Sequence, residues 1–323
     1  MLKYLLGLVF LAAPLAPVQD EAKLEAVIAE LHEYAKVEGV SGNLASVGSD
    51  TMNNMMAAWQ QGFKKIYPNV TASCEGKGTA TAFPALQEGT AQLGPASRDA
   101  KASEQDKFER AHGYKMTQLR PALDALAVYV NKDNPLNEIT LEQIDAIFSK
   151  SRNRGLRESI TTWGQLGLTG AWASRPISCY GRNAASGTYG FFKEIALKSG
   201  DYKDTVKEMS GSATVVVSVT DDMNGIGYSG IGYSTSGVKK LRIAEKKGSA
   251  FIEPNADNVY NETYPLRRFL YVYINKAPGQ PLSPLVREFC IYMFSKDGQK
   301  DVIKDKYFPV PKAVVDQELA KIK

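Results

Sequence analysis

In "DEAKLEAVIAELHEYAK", Leu24, Val27, Ile28, Leu31 and Tyr34 fall at helical spacing, with charged residues between them. The pattern predicts an amphipathic leader helix over residues 19–40, ended by Gly39 and Gly42. Beyond it the hydrophobic period alternates. The short apolar runs "NLASVG", "NVTASCEG" and "AQLGPAS" read as strands. Between them lie two helices, "TMNNMMAAWQQGFKKIY", with Met52, Met55, Met56, Trp59 and Phe63 on one side, and "TAFPALQEG". A charged helix, "SEQDKFERAHG", leads to the strand "ALDALAVYV". Further on, "TLEQIDAIF" is a helix capped by Thr140 with Gln143 behind it, and "RPISCYGR" is a strand. "SATVVVSVTDDMNGIGYSG" is a valine-rich stretch running into a glycine cluster. "YPLRRFLYVYIN" is a strong strand, followed by a terminal helix, "SPLVREFCIYMFSKDGQKDVIK". The alternation predicts an α/β fold with mostly parallel strands.

Two strands form a pair. "LDALAVYVNKDNPL" and "RFLYVYINKAPGQPL" each run apolar to aromatic, then Asn-Lys, then a proline-bearing turn. They are expected as twin crossover strands between two lobes, lobe 1 being residues 41–126 and 270–323 and lobe 2 residues 127–269. A chain of 323 residues is long enough for two such lobes.

Composition narrows the function. A net charge of +4 is far from a basic nucleic-acid arm, so no nucleic-acid partner is expected. Two histidines, His32 and His112, exclude a His-rich metal centre, and His32 reads as an ordinary surface residue. Three scattered cysteines, Cys74, Cys179 and Cys290, suit neither a zinc framework nor a disulfide scaffold, and free buried thiols are expected. No metal or cofactor is implied. At the N-terminus, "MLKYLLGLVFLAAPLAPVQDEAK" has one lysine, a short apolar run and small residues before the first acid. That is the pattern of a secretory signal over residues 1–18, which puts the mature chain in the periplasm.

Candidate chemistry recurs in four loops. "VGSDTMNN" sets Ser49, Asp50 and Thr51 at a helix start, and "EGKGTATAF" does the same with Thr79. "LGPASRDA" places Ser97 and Arg98 at a strand end, and "GRNAASGTYG" offers Arg182, Ser186, Gly187 and Thr188. Orphan N–H groups and the dipole make a helix start attractive to an oxyanion, while hydroxyls and arginine forks add donors. Each loop singly also reads as plain helix capping. Four in one chain point to an anion.

These segments, with "DALAVYVNKDNP", "GIGYSGIGY" and "RFLYVYINKAP", resemble the phosphate-binding proteins that serve bacterial phosphate ABC transporters, over about Leu44 to Pro311. The resemblance implies the two-lobe periplasmic binding-protein fold (type II), with the ligand in a cleft between lobes joined by two crossover strands. It implies that inorganic phosphate is bound, that the partners are membrane permease subunits, and that the protein is a monomer without catalytic residues. Carried over residue by residue, the phosphate contacts fall on Asp50, Thr51 and Met52, on Thr79, and on Arg182, Ser186, Gly187 and Thr188. Two positions depart from the family pattern. Ala184 stands where many members have an aspartate that holds the arginine, and Arg98 stands where a ligand-facing aspartate would be, with Asp99 after it.

The carboxylate matters because phosphate near neutral pH still carries a proton and sulfate does not. A buried carboxylate accepts from the first and repels the second. Asp50 is the first candidate for that role and Asp99 the second. The rival ligands are sulfate, molybdate or a phosphonate. An exported phosphatase is disfavoured by the lack of a Ser–His–acid set, and an adhesion or matrix protein on the same fold would keep the loops without a transporter.

Overall fold

The computed structural model describes residues 17–323, and nearly all of the predicted secretory segment lies outside them. The first helix, α1 (Pro17–Ala29), ends well before the predicted leader does. Leu31 still joins the core, but the chain there has left the helix. Tyr34 Oη donates to Glu288 at 2.9 Å and shares a 2.7 Å hydrogen bond with Tyr67, and Lys296 N–H donates to His32 C=O. Contacts with distant residues therefore override the local helical period, which is worth little on its own in a short helix.

The next elements lie where the pattern puts them. They are β1 (Gly42–Val47), α2 (Asn53–Ile66), β2 (Val70–Glu75), α3 (Ala82–Gln87), β3 (Gly94–Ala96) and α4 (Ala102–His112). The apolar stripe of α2 is fully buried. The long run "ALDALAVYV" is split at Leu126 into β4 (Thr117–Ala125) and β5 (Ala127–Asn131). After β6 (Glu138–Thr140) comes α5 (Leu141–Phe148), whose N-cap Thr140 accepts from Gln143 N–H at 3.1 Å. Then follow β7 (Ser178–Arg182), α6 (Gly187–Ile195), β8 (Lys207–Met209), α7 (Ser212–Asp221) and β9 (Gly225–Ser229). The valine-rich stretch is thus helical. Val215, Val216 and Val219 are buried at helical spacing, and that packing outweighs the strand preference of valine.

The remaining elements are β10 (Val238–Lys240), β11 (Arg242–Ala244), α8 (Ala256–Tyr260), β12 (Arg267–Ile274), α9 (Pro284–Phe294), α10 (Lys296–Lys304), β13 (Phe308–Pro309) and α11 (Lys312–Ala320). The predicted terminal helix is two helices. Ser295 ends α9 by donating to Tyr292 C=O at 2.7 Å and caps α10 by accepting from Gly298 N–H.

Two sheets organise the chain. A four-stranded sheet has the order β13–β4–β12–β3, and a five-stranded sheet β10–β5–β9–β7–β8. β1 and β2 pair in parallel and join the first body through a bridge between Ser46 and Leu93. The strands are mixed rather than mostly parallel. β12 lies antiparallel to β3 and β4, β13 to β4, and β5 to β9 and β10. Strand–helix alternation finds the elements but not their partners, because the chain crosses between sheets. It leaves the first at Leu126 and returns ahead of β12, whose pairing with β4 starts at Arg267↔Ala125, three residues before the expected boundary. Leu126 N–H donates to Leu266 C=O at 3.0 Å, so the two passages run side by side. Next to them Arg268 and Asp124 form a buried ion pair, with side chains 2% and 0% exposed.

Asp305, at the end of α10, sits against Asn54 and Met55 in the first turn of α2, and its Oδ2 has no hydrogen-bond partner. Burial pushes its pKa up to about 7, with Asp124 adding to the rise and Lys306 opposing it. A carboxyl raised in the folded state stabilises the fold below its unfolded pKa and loses that stabilisation as pH climbs through the folded value. Urea unfolding of the wild type is therefore expected to weaken between about pH 4 and pH 7, and Asp305→Asn to flatten that slope.

Candidate functional site

Four helical starts converge between the two sheets. The 3-10 turn Asp50–Met52 runs into α2, and the turn Thr79–Thr81 runs into α3. α6 starts at Gly187 and α7 at Ser212. Each start brings N–H groups that lack an intrahelical partner, and each brings a hydroxyl.

The hydroxyls form one buried cluster. Thr51 Oγ1 lies 2.8 Å from Thr188 Oγ1 and 3.5 Å from Ser212 Oγ. Thr188 Oγ1 donates to Ser97 Oγ at 3.4 Å, and Ser97 Oγ lies 3.3 Å from Thr79 Oγ1. Ser97 N–H donates to Thr79 Oγ1 at 3.0 Å. Ser186 caps α6 by accepting from Thr188 N–H at 3.1 Å and Tyr189 N–H at 3.4 Å, which leaves its own proton to donate.

One guanidinium serves this cluster. Arg182 is 1% exposed. Its Nη1 donates to Ser212 Oγ at 2.5 Å and lies 3.1 Å from Asp50 Oδ2, while Nη2 donates to Ser210 C=O at 3.1 Å. Its Nε is buried without a partner. Burial lowers the pKa of Arg182, and the Asp50 carboxylate works against that shift. Asp50 Oδ2 also accepts Ser212 N–H at 2.7 Å, and the Asp50 carbonyl accepts from Tyr233 Oη at 2.8 Å. The aspartate that is absent at position 184 is thus replaced in space by one 134 residues earlier in the chain.

Close approach needs two glycines here. A Cβ on Gly187 would strike Thr79 Oγ1 and stand 2.6 Å from Ser97 Oγ. Gly78 has φ 108°, and a Cβ there would stand 2.7 Å from Ala185 C=O. That spacing lets Ala80 N–H donate to Ala185 C=O at 3.1 Å.

Of the residues singled out from sequence, Asp50, Thr51, Thr79, Ser97, Arg182, Ser186, Gly187 and Thr188 meet here. Ser49 is buried beside them, its N–H donating to Pro95 C=O at 2.8 Å. Met52 brings no side chain to the cluster, since that side chain belongs to the core. Arg98 does not join. Its Nη1 and Nη2 each donate to Glu104 at 2.7 Å, Nη1 also donates to Asp99 C=O, and none of these bonds reaches the cluster. Asp99 is also taken, accepting from Gln118 Nε2 at 2.7 Å and Tyr271 Oη at 3.0 Å. Sequence reasoning missed Ser212, Tyr233 and Tyr307, the last donating to Thr51 C=O at 3.0 Å. A Gly-Ser before the valine-rich stretch was the available signal, but it points to a helix start only if that stretch is read as a helix.

The three cysteines are free, with Cys179 and Cys290 buried and their thiols pushed up to about 12 by desolvation. Among the described residues no group of His, Cys, Asp and Glu is placed to hold a metal, and no helix is long and apolar enough to cross a membrane.

Residues 35–297 match the PBP superfamily domain. The chain is 50% identical to the phosphate-binding protein PstS of Pseudomonas aeruginosa, over 98% of this chain and 97% of that one. It is 27% identical to protein SphX of Synechococcus elongatus, over 85% of this chain and 80% of that one. Among solved structures it resembles a Clostridium perfringens chain described as a phosphate ABC transporter substrate-binding protein with bound phosphate. That likeness has a TM-score of 0.71 and 26% identity, over 83% of this chain and all of that one. An ABC-type phosphate transport receptor from Vibrio cholerae, 22% identical over 83% of this chain and all of that one, shares the fold at a TM-score of 0.64.

Gly187→Ala tests the tight contact. Its methyl group is expected to hold the two loops apart at a cost of about 1–3 kcal/mol. The Ala80 amide, which donates across the gap, should then exchange with deuterium at least about fivefold faster than in the wild type.

Proposed function

This chain belongs to the PBP superfamily, among its phosphate-binding proteins, and from that membership we propose that it captures inorganic phosphate outside the cytoplasmic membrane and delivers it to an ABC-type phosphate importer. The permease subunits of that importer are its membrane partners, and the periplasm is its location. One observation carries the reading. Five buried hydroxyls, those of Thr51, Thr79, Ser97, Thr188 and Ser212, and the buried Arg182 come from five loops of both sheet-centred bodies and form one hydrogen-bonded cluster.

The two lobes are residues 41–126 with 267–323, and residues 127–266. Thr51, Thr79 and Ser97 belong to the first, and Arg182, Ser186, Gly187 and Thr188 to the second. Phosphate meets one set, and the lobes then close by rotation about the paired passages at Leu126 and Leu266. Asp50 joins the lobes, because its carboxylate meets Arg182 and Ser212 N–H of the opposite lobe. Closure therefore neutralises the guanidinium and completes the donor set in one movement. Arg98 is outside the contact set, bracing the Ser97 loop through Glu104.

The charge balance shapes affinity and selectivity. Arg182 is matched by Asp50, and Arg268 by Asp124. The site thus holds a phosphate by oriented N–H and O–H dipoles more than by surplus positive charge. The Asp50 carboxylate beside the ligand is tolerable only if the ligand brings a proton to share, which phosphate does at neutral pH and sulfate does not.

Calorimetry on the purified protein, with phosphate and sulfate titrated in parallel, tests this directly. Phosphate is expected to bind and sulfate not to. Asp50→Asn is expected to weaken phosphate by at least about tenfold and to narrow the gap between the two anions. Equal binding of both anions by the wild type would remove the selectivity argument, and a folded sample indifferent to phosphate would remove the function.

A further inference from the structure

The loop from Arg182 to Tyr189 carries four of the anion contacts, and its two ends are tied together by side chains that touch no ligand group. Tyr228, on β9 and fully buried, accepts the Arg182 N–H at 3.3 Å. Its hydroxyl lies 2.9 Å from that of Tyr202, and Tyr202 Oη donates to Tyr189 C=O at 3.0 Å. Proton counting fixes the direction. Tyr202 spends its single proton on the Tyr189 carbonyl, so Tyr228 is the donor in the bond between the two phenols. The chain runs from the end of β7 to the first turn of α6, and each hydroxyl in it both donates and accepts.

The surroundings hold this chain in place. The Tyr228 ring stacks on Phe192 at 3.8 Å between centroids, and the Tyr202 ring stacks on Tyr189 at 4.5 Å. A Cβ at position 181 would stand 3.1 Å from Tyr228 Oη, so the glycine before Arg182 admits the hydroxyl. Burial raises the pKa of both phenols, so the protons of the chain are in place at neutral pH.

We propose that Tyr228 and Tyr202 are positioning residues for the oxyanion loop, whose hydroxyl chain sets the span between Arg182 and the first turn of α6 and hence the size of tetrahedral anion the loop accepts. The proposal rests on the phosphate-binding reading and adds to it a determinant of specificity outside the ligand contacts.

Tyr202→Phe, Tyr228→Phe and the double variant keep the stacked rings and remove the hydroxyls. Their affinities for phosphate and for arsenate, a larger anion of the same shape and charge type, are measured by calorimetry beside melting temperature. Each single variant is expected to lose about tenfold in phosphate affinity, the scale of one buried hydrogen bond with its partner stranded. The double variant should lose no more than either single, because each substitution breaks the same chain. The preference for phosphate over arsenate should fall in all three. Lower melting temperatures with unchanged affinity and unchanged preference would make the tyrosines scaffolding and overturn the proposal. Absence of phosphate binding by the wild type would overturn the function itself, a result visible before any substitution. Tyr202 is only partly buried, so Tyr202→Phe supplies the test if Tyr228→Phe does not fold.

Discussion

A guanidinium removed from water must recover in hydrogen bonds what it loses in hydration, and Arg182, at 1% exposure, is in that position. Its partners come from two separate parts of the chain, Asp50 at the start of α2 and Ser210 and Ser212 at the start of α7. Much else follows from this need. The two bodies must approach until Asp50 reaches Arg182, and at that distance the loops between them have room only for small groups. Glycine at 78 and 187 and a lining of Ser and Thr are the result. On the proposed function, the same closeness strips the anion of its water.

The partly satisfied state of Arg182 gives this arrangement a direction. Both Nη atoms are engaged, while Nε is buried without a partner. On the proposed function it is a donor held for the anion. The surrounding framework, by contrast, is well satisfied. Arg268 binds Asp124 through two nitrogens at 2.9 and 2.7 Å and donates to Ser97 C=O at 2.9 Å, while the other Asp124 oxygen accepts Ile231 N–H at 3.0 Å. Removing one partner of such a buried pair costs about 3–5 kcal/mol, which makes this a rigid anchor next to the passages where the chain changes sheets.

Much of the architecture was legible along the chain. Strong periodicity placed β1, α2, β2, α4 and the capped helix α5, because each is decided by its own apolar stripe or its own cap. Where periodicity failed, a distant contact had won. Tyr34 leaves the predicted leader helix for Glu288 and Tyr67. Ser295 breaks the terminal helix to cap a second one, and the valines of α7 pack as a helix against the second sheet although their residue type favours strands. Strand direction was misjudged for a different reason. The hydrogen-bonding partner of a strand is set by topology, and a chain that crosses between sheets twice brings β12 back antiparallel to β4.

For the site, sequence alone determined which residue types were offered and in which loops, since Ser, Thr, Gly and Arg at helix starts are a local property. It also bounded the chemistry, because two histidines and three scattered cysteines offer no His-rich or zinc-type metal framework. Tertiary structure decided which of those residues meet. It sent Arg98 to Glu104 and Asp99 to Tyr271, and it brought Asp50 to Arg182 across 132 positions of sequence. An ion pair between lobes depends on the distance between two rigid bodies, and no pattern within either body encodes that distance.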